Sequence, residues 1–90
     1  MVMNISDAVQ VAEKAGLECR RLNHDRQLNI RDKSRIWHSY YPSTGTMVFN
    51  HFDDIRKKYQ IYNIKLTEDF INKYFVNPDE IQNLFVKEDV

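Results

Sequence analysis

The spacing of apolar residues changes period twice along this chain. Ile5, Ala8, Val9, Ala12 and Ala15 recur at helical spacing; short alternating or β-branched and aromatic runs then fill residues 17–49; helical spacing returns beyond them. A period of two puts successive side chains on opposite faces of a strand, whereas a period near 3.6 gives a helix one apolar stripe. A chain that carries both can bury both only by packing helices against a sheet. With 90 residues there is material for one core, so a single domain over residues 1–90 is expected.

The punctuation sets the order of elements. Asn4 is placed to cap the first helix, Asp7 favours its positive end, and Gly16 stops it. Residues 17–22 read as a strand, Asn23-His24-Asp25 as a turn, and residues 26–31 as a second strand with Leu28 and Ile30 facing one way and Gln27, Asn29 and Arg31 the other. Asp32-Lys33-Ser34 leads into the strand-like run of residues 35–41. Pro42-Ser43-Thr44-Gly45 makes the next turn and residues 46–49 return as a fourth strand. Phe52, Ile55 and Tyr59, with Asn50 as cap and Arg56, Lys57 and Lys58 toward the end, predict a second helix. Ile61, Ile64 and Leu66 fit an extended connector or edge strand. Thr67 opens a helix carrying Phe70, Ile71, Tyr74 and Phe75, and Asn77-Pro78-Asp79-Glu80 starts a last one that presents Ile81, Leu84 and Phe85. The expected fold is α+β: an N-terminal helix, an antiparallel sheet of three to four strands, and C-terminal helices packed on the sheet, in the order α-β-β-β-β-α-α-α.

Charge and cysteine content narrow the setting. Thirteen basic and thirteen acidic residues cancel, but residues 1–65 hold 11 Lys and Arg against 7 Asp and Glu, and residues 66–90 hold 2 against 6. The lone Cys19 has no intramolecular disulfide partner, the first residues lack the basic and apolar regions of a secretory signal, and no run approaches the roughly 18 apolar residues of a membrane span. A cytoplasmic protein that does not enter membranes is expected.

Few residues are arranged for catalysis. His24, His38, His51 and Cys19 show none of the spacings that hold a metal, so no metal or cofactor is expected. His38 and Ser39 are neighbours on a strand and point to opposite faces, which rules them out as a nucleophile and its base. A small ribonuclease using His38 with Arg20 or Arg35 is the enzymatic alternative. For nucleic-acid binding, residues 14–38 collect Lys14, Arg20, Arg21, Arg26, Arg31, Lys33 and Arg35. One face of the third strand adds either Trp37 and Tyr41 or His38 and Tyr40. For protein binding, tyrosine, tryptophan and arginine are the residue types enriched at binding hot spots, and Glu68, Asp69, Asp79, Glu80, Glu88 and Asp89 can oppose a basic surface. The candidate partner-binding residues are Arg20, Arg31, Arg35, Trp37, His38, Tyr40 and Tyr41. Burial of Trp37 with Leu28 and Ile30 would move attention to the helices, and its exposure would make the sheet face the binding surface.

The segment Tyr40-Tyr41-Pro42-Ser43-Thr44-Gly45-Thr46 resembles a group of small bacteriophage and mobile-element proteins in which a helix precedes strands and an aromatic-Pro-Ser/Thr-Thr-Gly turn links two of them. The resemblance covers residues 8–49 and implies a genomic setting rather than an activity; no functional residue carries over. It implies an accessory protein that binds a host factor, inhibitors of host defence nucleases among them. The early helix-then-strands order is also similar to double-stranded-RNA-binding domains and small messenger-RNA-cleaving toxins, but the chain lacks the basic helix start of the first and the Gly-Ser-His motif of the second. The expected function is a non-catalytic protein-binding module that inhibits or regulates a host or phage protein. A nucleic-acid-binding module is the alternative, and homo-oligomerisation is compatible with either.

Overall fold

The computed structural model describes residues 4–50 and 58–86. Helix α1 (Ile5–Lys14) starts where Asn4 Oδ1 accepts the Asp7 backbone N–H at 2.8 Å. It ends because Gly16 takes φ +81°. That conformation lets the Leu17 and Gly16 N–H groups reach the carbonyls of Ala12 (2.9 Å) and Glu13 (3.0 Å), which the helix itself leaves unpaired. Ala8 and Ala12 are fully buried; their small side chains allow the helix backbone to lie close to its neighbours.

Five strands follow: β1 (Glu18–Leu22), β2 (Gln27–Arg31), β3 (Trp37–Tyr41), β4 (Thr46–Asn50) and β5 (Lys58–Ile61). They form one antiparallel sheet in sequence order. The pairing Cys19↔Ile30↔His38 and the pairing Leu28↔Tyr40↔Met47↔Ile61 set the register. Strands β2, β3 and β4 share one strict alternation, in which Leu28, Ile30, His38, Tyr40, Met47 and Phe49 are buried and their neighbours are half-buried. The described helices therefore lie on one side of the sheet, and among the described residues the other side is open.

Helix α2 (Glu68–Tyr74) is capped by Thr67, whose Oγ1 accepts the Phe70 N–H at 3.1 Å. It turns Ile71 and Phe75, both fully buried, toward the sheet. Helix α3 (Asp79–Val86) follows, with Ile81 in the same core. The core is aromatic at its centre: the Phe49 ring lies 5.3 Å from His38, 5.6 Å from Tyr74, 5.9 Å from Phe75 and 6.2 Å from Phe70, centroid to centroid.

The turn after β3 is tied into the fold by Gly45. Its carbonyl accepts the Ile64 N–H at 2.9 Å, its φ is +66°, and a Cβ there would stand 3.0 Å from the Ile64 carbonyl oxygen. The left-handed conformation alone costs an L-residue about 1–2 kcal/mol, and the obstruction is backbone, which cannot swing aside. Gly45→Ala is therefore expected to destabilise the domain by about 2 kcal/mol or more, read as a lower urea midpoint with an unchanged slope.

The architecture is α+β, as the periodicity predicts, but the sheet has five strands rather than three to four. The described order is α-β-β-β-β-β-α-α. The helix expected around Phe52 and Ile55 falls mostly on residues 51–57, outside the described residues. Its supposed cap, Asn50, is the last residue of β4, and its supposed end, Lys58 and Tyr59, belongs to β5, paired as Asn50↔Lys58 and Phe49↔Tyr59. The edge strand expected from Ile61 onward thus starts earlier and ends at Ile61. Asn77 also differs from its expected role. Its side-chain Nδ2 donates back to the Asn72 carbonyl of α2 at 3.1 Å, and only its backbone carbonyl serves the start of α3, accepting from Glu80 N–H at 3.0 Å.

Candidate functional site

The open face of the sheet is built from residues that alternate with the core. The strand register places Glu18, Arg31 and Trp37 in one cross-strand row and Arg20, Asn29, Ser39, Val48 and Gln60 in the next. Tyr41 and Thr46 pair beyond them. Trp37 and Tyr41 share this face, four residues or about 13 Å apart along β3.

Two arginines hold the indole. Arg20 Cζ is 4.9 Å and Arg31 Cζ 5.8 Å from the Trp37 ring centroid. Each such contact at a partly exposed site contributes about 0.5–1 kcal/mol, less than the roughly 1.5–2 kcal/mol of rotamer freedom an arginine gives up when fixed. The ring contact alone does not immobilise Arg20. Arg31 has a second anchor, Glu18 Oε1 at 3.1 Å from its Nη1, and is the more firmly placed of the two. Beside them lies a polar strip: Asn29 Oδ1 accepts from Gln27 Nε2 at 3.0 Å and from Ser39 Oγ at 2.9 Å. The strip is uncharged and pre-ordered by its own hydrogen bonds.

The seven residues expected to contact a partner are divided by the fold. Arg20, Arg31, Trp37 and Tyr41 come together on the open face. Arg35 is exposed in the loop before β3, not in the strand, with φ +70°. His38 and Tyr40 are 1% and 3% exposed and lie under the helices, because β3 pairs Ile30↔His38 and Leu28↔Tyr40 on the core side. Burial pushes the Tyr40 phenol above its ordinary range. The polar strip of Gln27, Asn29 and Ser39 was not among the expected residues, although the alternation that sends Leu28 and Ile30 inward sends Gln27 and Asn29 outward.

His38 is committed to structure at both ring nitrogens. Asn50 N–H donates to Nδ1 at 3.0 Å, so Nε2 carries the proton of the neutral ring and donates to Asp32 Oδ2 at 2.7 Å. The other Asp32 oxygen accepts the Ser34 and Ile36 N–H groups at 2.7 and 3.0 Å, which folds the loop before β3. In this arrangement His38 presents neither nitrogen to solvent.

Cys19, opposite Ile30, is half-buried, and its thiol is pushed up to about 11, first by burial and then by Glu13 and Glu18. It is protonated at neutral pH and behaves as a small packing group. Among the described residues no three His, Cys, Asp or Glu side chains converge as a metal site, and no described helix is long and apolar enough to cross a membrane. The acidic candidates Glu68, Asp69, Asp79 and Glu80 sit in the first turns of α2 and α3, where they complement the helix dipoles; Glu88 and Asp89 lie outside the described residues. Compared with protein-family models, with curated proteins and with solved structures, the chain matches none.

Proposed function

We propose that this chain is a non-catalytic binding module that docks on a protein partner through the open sheet face. Its role is that of a phage or mobile-element accessory protein inhibiting or regulating a host protein such as a defence nuclease. The observation that carries the reading is Trp37, flanked by Arg20 and by the Glu18-anchored Arg31, beside the uncharged and hydrogen-bonded Gln27, Asn29 and Ser39 strip. Arginine and tryptophan are the residue types most often found as binding anchors, and holding Arg31 in place before contact removes part of the entropic cost of association. The helix-covered face offers no equivalent, since its aromatic residues are spent on the core.

Charge favours a protein over a nucleic acid. The described open face carries Arg20, Arg31 and Lys58 against Glu18, and Glu18 is paired with Arg31. Nucleic-acid affinity grows with the number of phosphates neutralised, and this excess of positive charge is small. The nucleic-acid reading keeps one supporting feature, guanidinium groups beside an aromatic ring on a sheet.

Trp37 is the only tryptophan in the chain, so its emission reports directly on this face. Partner binding is expected to shift that emission. Arg20→Ala and Trp37→Ala are each expected to weaken binding about tenfold or more, about 1.4 kcal/mol or above, with the far-ultraviolet dichroism unchanged. Capture of the same partner by a folded Trp37→Ala variant at unchanged affinity contradicts the proposal. So does steeply salt-dependent nucleic-acid binding that requires Arg20 and Arg31.

A further inference from the structure

An open cleft of about 200 Å³ lies where the turn after α1 meets the loop between β2 and β3. Its lining carries three cations, Arg31, Lys33 and Arg35, and two carboxyl groups, Glu18 and Asp32. Neither carboxyl group serves Lys33 or Arg35. Asp32 is buried, with both oxygens engaged by Ser34, Ile36 and His38, and Glu18 pairs with Arg31. Lys33 and Arg35 are exposed and pair with no carboxylate among the described residues. Arg31 also holds a buried Nε that has no hydrogen-bond partner among the described residues.

The backbone brings these cations together at some expense. Arg35 sits at φ +70°, a conformation that residues other than glycine rarely adopt and that costs of order 1–3 kcal/mol. A glycine would hold this turn without strain, yet the position carries a guanidinium. On the facing side, a Cβ on Gly16 would stand 2.8 Å from Lys33 Nζ, so the missing side chain leaves room for the ammonium at the cleft. Like charges gathered in one small space repel unless an anion bridges them.

We propose that this cleft binds a phosphate-type oxyanion, with Lys33 and Arg35 supplying charge and Arg31 supplying N–H donors. Lys33 and Arg35, the two cations left without a carboxylate among the described residues, suit a dianion better than a carboxylate, and guanidinium groups match tetrahedral oxyanions through paired N–H bonds. The open cleft admits free phosphate with its hydration or the phosphate end of a monoester. The site shares Arg31 with the sheet face, but Lys33 and Arg35 belong to the cleft alone, so its test does not depend on the docking reading.

The test is a nuclear magnetic resonance titration of the full chain with inorganic phosphate, glycerol phosphate and acetate in parallel, at constant ionic strength. Saturable shifts of the Arg31 Nε–H and of the Lys33 and Arg35 amides are expected with phosphate, with acetate binding about tenfold more weakly or worse. Lys33→Gln and Arg35→Gly are each expected to weaken phosphate binding about fivefold or more, whereas Arg26→Gln, an exposed change outside the cleft, leaves it intact. Arg35→Gly is also expected to raise the thermal midpoint in phosphate-free buffer, because glycine adopts the turn conformation freely. Tighter binding of glycerol phosphate than of phosphate identifies a monoester as the source, and the reverse identifies the free ion. No saturable shift, equal binding of acetate, or undiminished binding by both variants overturns the proposal.

Discussion

Phe49→Ala is expected to lower the unfolding free energy by about 3–5 kcal/mol. Phe49 is fully buried on the core side of β4, with its ring among those of His38, Phe70, Tyr74 and Phe75. The loss combines the transfer free energy of the ring with the cavity left behind. The cavity resists collapse, since its walls belong to two layers: β3 and β4 are fixed by the sheet ladder, and α2 is held over them by Ile71 and Phe75. Aromatic pairs at these separations, one edge-to-face and the others tilted or stacked, add about 0.5–1.5 kcal/mol each, and the substitution removes several at once. A domain of this size has about 5–15 kcal/mol in all, so Phe49→Ala leaves it close to unfolding, and Phe49→Leu serves as a milder companion with an expected loss of about 1–2 kcal/mol. Urea denaturation followed by far-ultraviolet dichroism reads both. A loss below about 1 kcal/mol for the alanine variant would show that the aromatic cluster is not the centre of the core.

Asp32→Ala is expected to cost about 3 kcal/mol although it removes almost no apolar surface. Its carboxyl group accepts three hydrogen bonds, from the Ser34 N–H, the Ile36 N–H and His38 Nε2. Alanine leaves these donors without their acceptor, and each unsatisfied buried donor costs about 1–3 kcal/mol. Asp32→Asn separates the roles. An amide oxygen can keep the two backbone N–H groups, but the amide nitrogen then meets the protonated Nε2 of His38, donor against donor. Moving that proton to Nδ1 sets it against the Asn50 N–H. Asp32→Asn is therefore expected to cost about 2 kcal/mol, between wild type and alanine. Imidazole nitrogen shifts measured by nuclear magnetic resonance should show the Nε2–H tautomer in the wild type and its loss in Asp32→Asn. A wild type with the proton on Nδ1 would contradict the assignment, and an Asp32→Ala variant as stable as wild type would remove the energetic argument.

Asp32 also explains why β3 starts where it does. The run from Arg35 to Tyr41 reads as one strand by residue type. Capture of the Ser34 and Ile36 N–H groups by the Asp32 carboxyl bends the chain, and Arg35 takes its left-handed conformation inside that bend. A short polar side chain that bonds backbone groups two and four residues ahead competes with strand pairing, and residue type carries no sign of which competitor prevails.

Local physical chemistry was enough for the elements whose signals lie within a few residues. Asn4, Asp7 and Gly16 delimit α1 because caps and glycine stops act over one turn. Leu28 and Ile30 define the buried face of β2 by alternation alone, and the Pro42-to-Gly45 turn follows from proline and a positive-φ glycine. Tertiary structure decided what depends on pairing partners far along the chain. Strand β3 carries aromatic residues on both faces, so its periodicity is equally consistent with burying Trp37 and Tyr41 or His38 and Tyr40. Pairing of His38 with Ile30 and of Tyr40 with Leu28 chose the second, and so put Trp37 on the open face with Arg20 and Arg31. Likewise Tyr59 sits at helical spacing from Phe52 and Ile55, yet it is a strand residue, since the edge of β4 offers Phe49 as its partner. Four residues hold too little local preference to outweigh a ladder of hydrogen bonds and a shared apolar face, and that balance is settled only when the sheet assembles.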